Sequence, residues 1–279
     1  MPQTIELFGY SINVSKEARN NSWPLPDAIV PPVLNVILTK NMPAHEERAR
    51  RYRSRMLLGE DFVLDYPSQT LWFPASKRKA IMEIKNAGPQ RIFDRTILFC
   101  IALLAERLGP AVVATPSTRH VLPLYLHASA VATACGALVF CGRSTFGKST
   151  ISGEILGPIF PQLDDDQVTM HIGMLNKKTR APRVLYFGRR RELSTAGSEL
   201  PLAGLFWLQK SAEFKIEEMD QAEAASLMLS PLVNRRRPIA ILNRLRIIRA
   251  LLTKMPCRRL YFAKEQAPLV ELLRANGYA

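Results

Sequence analysis

Acidic residues are scarce in this chain of 279 residues: 24 Asp+Glu stand against 38 Lys+Arg, a formal net charge of +14. Cysteine is scarce too. Cys100, Cys135, Cys141 and Cys257 form no C-x-x-C pair and no zinc-like set, which excludes a disulfide scaffold and a zinc module. They read as buried or free thiols of a reducing cytosol. Internal repeats and low-complexity tracts are lacking, which excludes a solenoid or a compositional tail. The opening MPQTIELFGYSINV has no basic region ahead of an apolar core, so no secretory signal is expected. The nearest approach to a membrane span is residues 121–142. Pro123, His127 and the run Thr133-Ala134-Cys135-Gly136 interrupt it, and two short strands joined by a tight turn account for it better. The expectation is a cytoplasmic protein with no transmembrane segment.

What is present is an apolar fraction of 47%, enough for one or two folded domains with real cores. Residues 3–15 read as a first strand. Residues 20–43, rich in Pro and Asn, read as an extended, loop-dominated segment. The charge run 46–55 (EERARRYRSR) is of the kind that ordinarily forms a solvated helix face or loop. Residues 61–75 read as short strands split by prolines. Apolar spacing over 91–108 predicts a buried amphipathic helix stopped by Gly109-Pro110. From about residue 120 short apolar strands alternate with helices, the punctuation of an α/β fold. Strands are expected at 201–210 and 258–264, and helices from Asp220, from Pro238 and up to Gly277.

Gly142-Arg143-Ser144-Thr145-Phe146-Gly147-Lys148-Ser149-Thr150 matches G-x-x-x-x-G-K-S/T. Two glycines let backbone N–H groups curl around phosphate oxygens. The loop then delivers phosphate to a helix N-terminus. Lys148 adds a mobile point charge on the outer phosphates, and Ser149 offers a hydroxyl to Mg²⁺. A chance match in a chain this long has a probability on the order of 1%, and an apolar strand (ALVFC) precedes the loop while a helix start follows it. Asp164-Asp165-Asp166 comes next. Three adjacent carboxylates repel unless cations compensate them. They could form a solvated turn or cap, or supply a Mg²⁺ ligand and a general base. Asp165 lies 17 residues beyond Lys148, room for one helix and a link, so the triplet falls on the strand directly after the loop's helix. His127, one hairpin upstream, is either a satisfied core histidine or a neighbour of the phosphates.

Together these elements resemble the C-terminal catalytic domain of bacterial HPr kinase/phosphorylase and its smaller kinase-like relatives. The resemblance rests on Leu126-His127-Ala128-Ser129-Ala130-Val131, the loop 142–150 and Leu163-Asp164-Asp165-Asp166-Gln167, and covers roughly residues 120–210. It implies a mixed β-sheet P-loop kinase core like the nucleotide domain of phosphoenolpyruvate carboxykinase over 116–279, with a β-rich and helical extension over 1–115 packed on it. It implies ATP and Mg²⁺, with phosphoryl transfer to the serine hydroxyl of a peptide, a protein or free serine. By position, Asp165 would take the acceptor's proton and His127 would lie beside the phosphates. Lys148 would hold the outer phosphates, and Ser149 and Asp166 would hold the metal. The family's full kinases assemble as hexamers, so a homo-oligomer is implied. Thr145-Phe146 are bulkier than the family's residues at this point, and the phosphorylase signature is not recognisable, which turns the expected substrate toward a peptide or small molecule.

Two arginine clusters remain. Arg189-Arg190-Arg191 would lie near the site in the family layout, where Arg191 could stabilise transferring charge; a basic surface loop is the alternative. Residues 231–264 hold ten basic side chains and no acidic one. That stretch could dock an acidic peptide or protein, or bind nucleic acid. It carries no helix-turn-helix, zinc-finger or aromatic stacking signature, which favours the acidic partner. A nucleotide-binding regulatory protein that uses this basic stretch is the alternative to a kinase.

Overall fold

The computed structural model describes residues 3–7, 10–16, 34–39, 56–58, 61–65, 69–73, 79–84, 100–102, 105–106, 121–165, 168–173, 181–186, 198–229 and 238–279. The chain divides into two compact units, Met1–Arg119 and His120–Ala279. It is an α/β protein of mixed sheets and helices.

The first unit carries a seven-stranded sheet. Its strands are β1 (Gln3–Leu7), β2 (Tyr10–Lys16), β3 (Leu34–Thr39), β4 (Met56–Leu58), β5 (Asp61–Asp65), β6 (Gln69–Phe73) and β7 (Lys79–Ile84), in the order β1-β2-β3-β7-β6-β5-β4. β3 pairs in parallel with β2 and β7, and the other pairings are antiparallel. The expected single strand at 3–15 is two paired strands. The expected loop over 20–43 contains β3, where Val36, Ile37 and Leu38 supply strand-forming side chains after the prolines end. Residues 61–65 and 69–73 are the short strands expected around Pro67. Of the helix expected over 91–108, residues 100–102 and 105–106 are helical, and Cys100, Ile101, Ala102 and Ala105 are buried. The run 46–55 and residues 91–99 lie outside the described residues.

The second unit holds β8 (Val121–Leu126), β9 (Ala128–Thr133), β10 (Gly136–Cys141), β11 (Gln162–Asp164), β12 (Val168–Gly173), β13 (Arg183–Tyr186), β14 (Ser198–Lys210), β15 (Lys215–Glu218) and β16 (Cys257–Phe262). Its helices are α1 (Gln221–Leu229), α2 (Pro238–Lys254) and α3 (Gln266–Ala275). β10 is buried along its whole length, as an apolar strand covered on both faces must be. It pairs antiparallel with β9 and parallel with β14, and β14 pairs parallel with β16. The 13 residues of β14 reach further than any neighbour. Its first part pairs with β13, which continues through β12 to β8. The span 121–142, expected as two strands, is therefore three. The break falls at His127, where β8 turns toward β12 and β9 toward β10.

Alternation along the strands sends Leu138 and Phe140, Phe206 and Leu208, and Leu260 and Phe262 to one core with Ile151, Ile155, Leu269, Leu273 and Tyr278. Phe206 stacks on Phe140 at 5.8 Å and meets Tyr278 edge-on at 5.0 Å. Each such side chain contributes about 1.5–3 kcal/mol by leaving water. The hairpin feeding β10 depends on Gly136, whose φ is +130° and whose missing Cβ would sit 2.4 Å from the Pro201 carbonyl oxygen. Asp220 caps α1 by accepting from the N–H groups of Ala222 and Glu223.

One polar knot ties β12, β13 and β14. His171 Nδ1 lies 3.2 Å from Glu199 Oε1, and Arg183 Nε donates to Glu199 Oε2 at 2.9 Å. The hydrogen bond from His171, then the Arg183 charge, hold the Glu199 carboxyl below its ordinary value. A carboxylate favoured in the folded state contributes stability above the ordinary glutamate value of 4.5, and that contribution is lost as pH falls through the depressed value. Urea midpoints measured from pH 7 to pH 3 should therefore fall less steeply below pH 4.5 for Glu199→Gln than for the parent chain. Parallel slopes would show that the knot is not the acid-sensitive element.

Candidate active site

Strand direction collects the site. β10, β11, β14 and β16 run the same way, because β11 and β10 are each antiparallel to β9 and the others are parallel to β10. Open α/β sheets bind ligands beyond the carboxyl ends of such strands. The loop 142–150 leaves β10 at that edge, Asp164 and Asp165 leave β11 there, and His127 precedes β9, whose first residue pairs with Cys141. A pocket of about 760 Å³ opens at this edge. It is lined by His127, Ser144, Thr145, Gly147, Lys148, Ser149, Thr150 and Asp165, and also by Lys210, Ser211, Phe262, Ala263 and Lys264.

Local geometry shapes the loop. Gly147 has a φ of +88°, and a Cβ there would lie 3.1 Å from the Phe262 ring, so both conformation and space call for glycine. Thr145 holds a φ of 72°, a strained state for a β-branched residue and typical of loops kept for binding. The chain then turns helical. The Ile151 N–H donates to the Gly147 carbonyl at 2.8 Å, and Thr150–Ile155 continue as a π-helix, a form concentrated at functional sites.

The Lys148 side chain is buried, 6% exposed. Its ammonium folds back to donate to the carbonyls of Gly142 at 3.2 Å and Arg143 at 3.1 Å. Its backbone carbonyl accepts from Ser129 Oγ at 2.7 Å and from Ser152 Oγ at 3.1 Å. Gln162 Nε2 donates to Ser152 Oγ at 2.9 Å, which links β11 to the helix. Ser149 Oγ donates to Asp165 Oδ1 at 3.3 Å. Asp164 is buried and accepts from the Asp165 N–H at 2.7 Å. Asp164 therefore shapes the turn, and Asp165 faces the pocket. Among the described residues no three His, Cys, Asp or Glu side chains are grouped to hold a metal ion. Ser149 and Asp165 bring a hydroxyl and a carboxylate together on the pocket wall.

Beneath the loop, burial pushes the Cys141 thiol up to about 12, with Lys148 and Arg244 opposing, so this cysteine is chemically silent. Burial also pushes the Arg244 guanidinium down to about 10. Arg244 donates to the Tyr125 carbonyl at 3.2 Å, two residues before His127.

Of the expected site residues, His127, Lys148, Ser149 and Asp165 converge with the loop on one pocket. Arg143 is exposed and Phe146 half-buried beside it, and Gly142 is buried against the Phe146 Cβ. Asp166 and Arg189, Arg190 and Arg191 lie outside the described residues. Sequence reasoning missed the wall made by Lys210, Ser211, Phe262 and Ala263, and read Lys264 only as part of a basic stretch. No sequence signal marks this wall, because it depends on the parallel pairing of β14 with β10 and β16. The basic stretch 231–264 is not one continuous cationic face among the described residues. Arg244 is buried, Arg258 donates to the Tyr278 hydroxyl, Arg259 pairs with Glu223, and Lys264 pairs with Glu154 at 3.3 Å. Arg246, Arg249 and Lys254 are exposed on α2, and Arg235–Arg237 lie outside the described residues.

Because Ser129 is fully buried and its hydroxyl is spent on the Lys148 carbonyl, Ser129→Ala should cost about 1–2 kcal/mol in urea unfolding, with the slope unchanged. A midpoint equal to that of the parent chain would mean that this bond does not anchor the loop. No helix among the described residues is long and apolar enough to cross a membrane. No protein-family model matches the chain, and no curated protein matches it.

Proposed function

We propose that the second unit catalyses Mg²⁺-assisted phosphoryl transfer from ATP to a serine hydroxyl of a peptide, a protein or free serine. The observation that carries this reading is the meeting of Ser149 and Asp165, 3.3 Å apart, on the wall of the pocket lined by the glycine loop. A metal-bound phosphate chain and an acceptor hydroxyl need such a hydroxyl and such a carboxylate side by side.

Ser149, with Asp166 as the resemblance implies, would hold Mg²⁺, which takes few protein oxygens and completes its shell with phosphates and water. When bound, it would neutralise charge on the β- and γ-phosphates. The chain's own residues supply the rest. The amides of 143–148 cradle the phosphates. Lys148 swings from the Gly142 and Arg143 carbonyls onto the outer phosphate oxygens. Asp165, half-buried and open to the pocket, accepts the acceptor's proton as the acceptor oxygen bonds to the γ-phosphorus. The bond from that phosphorus to the β–γ bridging oxygen breaks, and ADP leaves with the electron pair. His127 lines the same pocket and hydrogen-bonds the transferring group or the acceptor.

Incubation with labelled ATP and pools of serine, peptides and proteins should place label on a serine oxygen. Lys148→Ala should lower kcat/KM about 10²- to 10³-fold. Asp165→Asn should lower kcat about 10²- to 10⁴-fold with little change in nucleotide affinity. Nucleotide binding with no phosphorylated acceptor in any pool would replace the kinase by a regulatory nucleotide-binding protein.

A further inference from the structure

The glycine loop divides the edge of the sheet into two sides. In the order β11-β9-β10-β14, with β16 beyond β14, Asp165 and His127 lie on one side of the loop. Lys210 and Lys264 lie on the other, at the ends of adjacent parallel strands, and both line the pocket. Lys210 Cε comes 3.9 Å from the place a Cβ would take on Gly147, so the stem of Lys210 runs along the loop. Its ammonium has no ion pair or hydrogen bond among the described residues. The Ser211 N–H donates to the Phe262 carbonyl at 3.0 Å, and Phe262, 2% exposed, packs under Gly147. The two lysines therefore stand on a rigid base. Lys264 pairs with Glu154 at 3.3 Å, and both side chains are largely exposed; pairs of this kind contribute little and give way to a better anion.

We infer that Lys210 and Lys264 form a second anion subsite, which takes the non-reacting α- and β-phosphates of a nucleoside di- or triphosphate. The terminal phosphate is then left on the Asp165 side. The assignment of direction rests on the kinase reading above. A triphosphate brings more charge than Lys148 can neutralise alone, and Lys210, whose stem runs along the loop and whose ammonium has no ion pair or hydrogen bond among the described residues, supplies part of the remainder. Lys210 does so from a strand end, where its position is fixed, and Lys264 does so by leaving Glu154.

The test is calorimetric titration of the full chain with ADP and with Mg²⁺·ATP in the absence of any acceptor, so that acceptor recognition does not enter. Lys210→Met should raise Kd roughly tenfold or more, as loss of a charge-assisted bond does. Lys210→Arg should recover most of it, and Lys264→Met should give a smaller loss. Unchanged melting temperatures would show that the variants fold. If Lys210→Met and Lys264→Met bind like the parent chain while Lys148→Met loses affinity, the second subsite is overturned and the kinase reading stands. If the parent chain binds neither nucleotide, both are overturned.

Discussion

Strand direction is the constraint on which the second unit depends. Once β10 and β14 pair in parallel, the crossover between them must pass over the sheet, and the helical segment after the glycine loop is the start of that crossover. β9 enters from the opposite direction, so its first residue and the end of β10 share an edge. β11 then pairs with β9 and brings its carboxylates back to the same place. Five segments of the chain thus meet at one pocket. No side-chain attraction is needed to assemble them, because the backbone ladders already do so.

The loop itself is held from beneath by hydrogen bonds and packing rather than by charge. Ser129 and Ser152 both donate to the Lys148 carbonyl, and Gln162 secures Ser152. Phe262 closes against Gly147 and belongs to the same core as Phe140 and Phe206. The strain at Thr145 is sustained by this support. In the structure the Lys148 ammonium rests on two carbonyl oxygens, which keeps a buried cation hydrogen-bonded. A phosphate would replace weaker neutral acceptors with charged ones, so the same lysine is both stable without an anion and responsive to one.

Much of one side of the pocket was legible in the chain. The glycine spacing, the lysine and the hydroxyl are contiguous, and contiguous motifs survive folding unchanged. Asp165 was legible because only one helix and one short strand separate it from Lys148. His127 was legible as a neighbour, though its strand was not: LYLHASAVA reads as one apolar run, and only the pairing of β8 with β12 and β9 with β10 shows that it breaks at the histidine. The Lys210 wall was illegible. Residues 210 and 264 are brought together by β14–β16 pairing, and neither propensity nor periodicity specifies which strands become neighbours or whether they run parallel. In the same way, β3 lay hidden in a segment whose prolines suggested only loop.

The surplus of positive charge takes on a different meaning once the side chains are placed. Arg244 spends its charge under the strand that precedes His127, and Arg258 and Arg259 are occupied by Tyr278 and Glu223. A composition that suggests a basic docking face is thereby partly used up inside the unit. What faces the pocket is a smaller, ordered set, with Lys148 in the loop and Lys210 and Lys264 across from Asp165. Three cations and one carboxylate on opposed walls make the pocket polar in direction as well as in content. A phosphate chain laid across it would meet its counter-charges along its length and the carboxylate at one end, and it is at that end that bond exchange with a hydroxyl would occur.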